Sequence, residues 1–110
     1  MFWFITSLRF KPYTEHPLNA DTVGFFSSKD QAIYAIEENW GDLNEAGYFP
    51  WLVVEGLEEN SIYPLVEPKN QIFFKWQGQD NGEWVPCDFP KEICKYLEKN
   101  HYMKQFSEVG

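Results

Sequence analysis

Asp42 and Glu45, in the run GDLNE, are carboxylates three residues apart, and Glu38 lies about one helical turn upstream. Carboxylates so spaced can hold a divalent cation or act as a general base if several oxygens converge on one point. The same spacing is that of a capping box, with Asp42 capping a short turn and Glu45 reaching back to its backbone amide. No second cluster with ligand spacing accompanies them, so the capping role is the expectation, with no metal and no other cofactor.

A second chemistry would need Cys87 or Cys94 paired with His16 or His101. A thiol nucleophile requires a contacting base and a third group to orient that base, and no local signature supplies them. The chain has no G-x-S-x-G, no phosphate-binding loop and no dinucleotide fingerprint. The expectation is a protein that does not catalyse a reaction.

Binding offers two further constellations. Trp76 and Trp84, with Phe74 and Trp3 near them, would make an aromatic platform for a base or sugar. Arg9 and Lys75, joined by Lys11 and Lys69, would hold a phosphate. The ligand-binding candidates are therefore Arg9, Lys75, Trp76 and Trp84, suited to a nucleotide-type small molecule and to a homodimer or larger assembly. Strand aromatics that merely pack a sheet give the same pattern.

The other constellation is acidic. The 110 residues carry a net charge of -8, and residues 30–68 supply all of the excess. That span holds nine acids (Asp30, Glu37, Glu38, Asp42, Glu45, Glu55, Glu58, Glu59, Glu67) and no Lys or Arg. Such a chain lacks the basic footprint that phosphates require, so no direct nucleic-acid partner is expected. It suits a protein partner with a basic surface. Glu37, Glu38, Asp42 and Glu45 would steer it, and Tyr48 and Phe49 would anchor it, together with Trp51. The plainer alternative is a solvated acidic face that maintains solubility.

These side chains must be positioned by one domain, because 110 residues bury roughly two-thirds of their unfolded surface around a single core. Phe2–Phe10 reads as a central strand, apolar on both faces at its start. A loop follows over 11–21 and a short strand over Thr22–Phe26. Ser28, with Gln31 three residues on, opens a helix whose Ile33, Ile36 and Trp40 face the sheet, and Gly41 stops it. Tyr48–Val54 reads as a buried strand and 62–66 as a short extended segment. Gln71–Gln77 and Glu83–Cys87 form a hairpin around Gln79–Gly82. Asp88 would cap a second helix with Ile93, Tyr96 and Leu97 inward, and the chain would fray from about Asn100. The expected class is α+β, order β-β-α-β-β-β-β-α, a mostly antiparallel aromatic sheet packed with one or two helices. The opening MFWFITSLRF is too short to span a bilayer and lacks the early charge of a signal peptide, and two free thiols fit the cytoplasm.

The run from Val23 to Pro64 resembles a group of small uncharacterised proteins of bacteria and their phages. The shared pattern is Val23-Gly24-Phe25-Phe26-Ser27-Ser28, Asn39, Asp42-Leu43-Asn44-Glu45, Tyr48, Val53-Val54-Glu55 and Ile62-Tyr63-Pro64, with a later similar KW…G…WVP segment. It covers about two-thirds of the chain and departs at Pro50-Trp51 and Glu59-Asn60-Ser61. The resemblance implies a small accessory protein, often near mobile elements, and no reaction. A protein that blocks a host nucleic-acid-binding enzyme fits that description.

Overall fold

In a computed structural model, residues 1–43, 49–62, 65–79 and 81–107 are described. The class is α+β: a five-stranded, wholly antiparallel sheet with one helix on each face. The strands are β1 (Phe2–Phe10), β2 (Leu18–Phe26), β3 (Trp51–Leu57), β4 (Gln71–Gln77) and β5 (Glu83–Cys87), in spatial order β2-β1-β3-β4-β5. Helix α1 (Lys29–Glu37) crosses from β2 to β3, and α2 (Lys91–Lys99) follows β5. The described residues of the expected extended segment at 62–66 join no strand, and Tyr63 and Pro64 lie outside the described residues.

Side-chain alternation divides the core in two. Trp3, Ile5, Leu52, Val54, Phe74 and Trp84 face α1, which answers with Ala32, Ala35 and Ile36. Leu8, Val53 and Phe73 face the other way, onto Ile93 and Leu97 of α2 and onto Phe106. This explains why β1 and β3 are apolar on both sides, since each is a central strand covered by two layers. Each fully buried Ile or Leu in these layers contributes about 1.5–3 kcal/mol by leaving water.

The hairpin β1–β2 is longer than its loop-like sequence suggests. Leu18–Asp21 is already strand, paired with Ser7–Phe10. The register steps from Ile5–Gly24 to Thr6–Thr22, so Val23 has no opposite residue and forms a bulge.

Both helices end in the same reversal. Asn39, at φ 49°, is the left-handed residue after α1. Its amide donates to Ile36 O, and the Trp40 amide donates to Ala35 O at 3.0 Å. This six-residue closure stops the helix two residues before Gly41. His101 (φ 59°) does the same for α2, with the Tyr102 amide on Leu97 O. An aromatic after each reversal folds back on its own helix, Trp40 on Tyr34 and Tyr102 on Tyr96.

The starts differ from one another. Ser28 caps α1 in extended conformation, its Oγ accepting from the Gln31 amide at 3.4 Å. Asp88 does not cap α2: Pro90 occupies the cap, and its carbonyl accepts from the Cys94 amide. Among the described residues no helix is long and apolar enough to cross a membrane.

Candidate functional site

The end of α1 carries the charge and the rings. Glu37 closes the helix and Glu38 is its C-cap; both are exposed, as is Asp42 after the reversal. The backbone carbonyls left at a helix C-terminus already carry negative partial charge. No basic residue occupies the last turn of α1, so the carboxylates reinforce that charge instead of offsetting it. The helix's single base, Lys29, lies at the opposite end, over the Trp3 ring at 5.6 Å.

Trp40 is not the core residue that its spacing predicts. The helix reverses before it, so its indole stands 52% exposed. It meets the half-exposed Tyr34 ring edge-on at 5.8 Å and Phe26 at 6.4 Å. An exposed aromatic pair therefore sits among Glu37, Glu38 and Asp42. Beside it a cleft of about 260 Å³ is lined by Ser7, Asp21, Val23, Trp40, Gly41, Leu43 and Phe49. Phe49 is half-buried, and Arg9 lies over its ring at 6.0 Å from the centroid. Glu45 and Tyr48, also expected at this face, lie outside the described residues. Asp42 is left-handed, at φ 52°, and the Glu45 half of the expected capping box lies outside the described residues.

The structure gathers the aromatics of the expected platform into the α1-side core and splits its cations between the two faces of the sheet. Trp84 is buried in the α1-side core, where its indole N–H donates to Asn39 Oδ1 at 3.1 Å. Trp76 packs edge-on against it at 5.3 Å. Lys75 alternates to the other face of the sheet, paired with Trp51 and Val85. Arg9 is on the α1 side, but Phe49 lies under its guanidinium and the Pro50 carbonyl accepts from the Trp76 amide.

The two cysteines are half-buried and free. Burial, followed by the nearby Asp88 carboxylate, pushes the Cys87 thiol up against the opposing pull of Lys75, away from the thiolate that a nucleophile needs. Cys94 Sγ donates to Glu98 Oε1 at 3.6 Å. Among the described residues no three His, Cys, Asp or Glu side chains gather at one point.

One acid of the middle segment belongs to no surface. Glu55 is completely buried on β3. Its Oε1 accepts from the Ser107 amide (2.7 Å), the Ser107 hydroxyl (2.6 Å) and the Phe106 amide (3.1 Å). Its Oε2 accepts from Gln71 Nε2 at 2.8 Å and shares the Phe106 amide. The C-terminal segment is thereby tied to the sheet, and Phe106 and Ser107 are buried rather than frayed.

Sequence spacing missed the exposure of Tyr34 and Trp40, which are six residues apart and meet only because the chain reverses at Asn39. The available signal was that Asn39 tolerates a left-handed backbone. No protein-family model, curated protein or solved structure matches this chain.

Proposed function

We propose that this is a small, non-catalytic binding protein that meets a basic protein surface through the acidic and aromatic face at the end of α1. The observation that supports it is the exposed Tyr34–Trp40 pair standing among Glu37, Glu38 and Asp42, at a helix terminus with no cation of its own. Aromatics exposed within a polar rim are typical interface anchors, and like charges left together speed the encounter with an opposite one. The resemblance to small bacterial and phage proteins suits an accessory factor of the cytoplasm that masks a basic host protein. Titration with a nona-arginine peptide tests this reading. Tryptophan emission should shift, and binding should weaken steeply between low and high salt. The variant with Glu37→Gln, Glu38→Gln and Asp42→Asn should lose most of the affinity. Binding that ignores both salt and these substitutions would remove the basis of the proposal.

A further inference from the structure

β2 is an outer strand of the sheet. An open edge of this kind presents backbone N–H and C=O groups to any extended chain, and proteins usually blunt it with Lys, Pro or a bulge; the bulge at Val23 leaves Leu18–Thr22 as the regular stretch of this edge. The nine residues LNADTVGFF contain no Lys or Pro. Val23 and Phe25 stand 50% and 68% exposed along this edge. Two clefts flank the strand and share Asp21 and Val23. One is the cleft beside Trp40, and the other, of about 490 Å³, is lined by Phe4 and by Asp21–Phe25.

The cleft beside Trp40 has the chemistry of an arginine socket. Trp40 and Phe49 supply aromatic walls and Asp21 an exposed carboxylate. Ser7, only 4% exposed, also lines it. A guanidinium fits such a set better than an ammonium, because it is flat enough to stack on a ring and forked enough to meet two oxygens.

Resting on the proposed basic partner, we infer that the partner adds an extended basic segment to the free edge of β2 and places one arginine in this cleft, stacked on Trp40 and hydrogen-bonded to Asp21 and Ser7. Strand addition supplies affinity through the main chain, and flanking pockets read alternate side chains. Charge complementarity selects this occupant: Asp21 lines the cleft, Asp42 stands between its lining residues Gly41 and Leu43, and Arg9, on the Phe49 ring, is the charge that opposes. A second copy of this chain would bring another net charge of -8 and its own Asp21 to the same edge.

The test uses the full chain and the peptide acetyl-Lys-Thr-Val-Thr-Arg-Thr-Val-Thr-Lys-amide, followed by backbone amide NMR and Trp fluorescence. Shifts should concentrate in residues 18–26 and at Trp40. Replacing the peptide arginine by uncharged citrulline should weaken binding about tenfold or more. Methylating alternate peptide amides should abolish it. In the protein, Asp21→Asn should weaken the arginine peptide about tenfold and leave the citrulline peptide unchanged. Equal binding of the arginine, citrulline and methylated peptides would overturn the inference, as would a dimer paired through β2. Salt-sensitive binding that depends on Glu37, Glu38 and Asp42 but leaves the β2 amides unmoved would refute strand addition alone. Failure of both this peptide and nona-arginine to bind would refute strand addition and the acidic-face reading together.

Discussion

Replacing Glu55 tests how the C-terminal segment is held. In the native chain four groups donate to its carboxylate: two backbone amides, the Ser107 hydroxyl and the Gln71 amide. Glu55→Gln keeps one oxygen and turns the other acceptor into a donor. If the remaining oxygen serves Phe106 and Ser107, the new N–H₂ faces Gln71 Nε2, which already donates to Lys104 O at 2.9 Å. One buried mismatch of this kind costs about 1–3 kcal/mol. Glu55→Ala removes both acceptors, and its cost is capped because the segment can let go and rehydrate. The cap is the loss of Phe106 burial, about 2–3 kcal/mol, plus the lost charge-assisted bonds, so about 3–5 kcal/mol is expected. Urea unfolding measures the total, and hydrogen exchange at Phe106 and Ser107 shows whether the loss is local. A cycle with Ser107→Ala should give a coupling of about 1 kcal/mol or more between the two side chains. If Glu55→Gln stays within about 0.5 kcal/mol of the parent and both amides keep their protection, the carboxylate does not hold the segment.

Glu38→Lys places a cation at the C-terminus of α1 and should stabilise the free protein by about 0.3–1 kcal/mol in thermal unfolding while weakening nona-arginine binding; a destabilised variant would contradict the dipole argument. Lys104 Nζ lies 2.7 Å from Glu98 Oε1, and its hydrogen bond first, then its charge and the Cys94 thiol, hold the Glu98 carboxyl below its ordinary 4.5. The Glu98 contribution is therefore present above that value and lost as pH falls through the lower folded value. The Lys104 ammonium is raised above 10.5, chiefly by its hydrogen bond to Glu98, so its contribution is present below that value and lost as pH rises through the folded one. Side-chain NMR titration of Glu98 in a Lys104→Met variant should show its midpoint move up, and an unmoved midpoint would refute the pairing. A Cβ on Gly56 would come within 2.8 Å of the Trp3 ring and of Met1 Sδ, so Gly56→Ala should cost about 1–3 kcal/mol in urea unfolding, with an unchanged midpoint refuting the tight packing.

Much of the framework was legible because it follows from local periodicity. Alternation located β4, apolar runs located β1 and, three residues early, β3, the hairpin tip located β5, and Ser28 with Gln31 marked the start of α1. Leu18–Asp21 was missed because its polar residues read as loop, and pairing with β1 outweighed that composition. Trp40 was misplaced because helical spacing was extended past Asn39, where the backbone turns left-handed. Of the site, the exposure of Glu37, Glu38 and Asp42 was legible from their polarity. Their arrangement around Tyr34 and Trp40 was not, because it depends on the helix reversal.

The sequence by itself determined the antiparallel, aromatic sheet with two helices and the concentration of negative charge in residues 30–68, since both follow from residue types and their spacing. Tertiary structure alone decided that one acid of that span, Glu55, leaves solvent. Glu55 has the same charge as its neighbours in sequence. Yet its side of β3 is the side to which Phe106 and Ser107 return, 51 and 52 positions later, to supply donors that a buried carboxylate requires. Glu37, Glu38 and Asp42 stay at the surface, because Ala32, Ala35 and Ile36 take the side of α1 that meets the sheet.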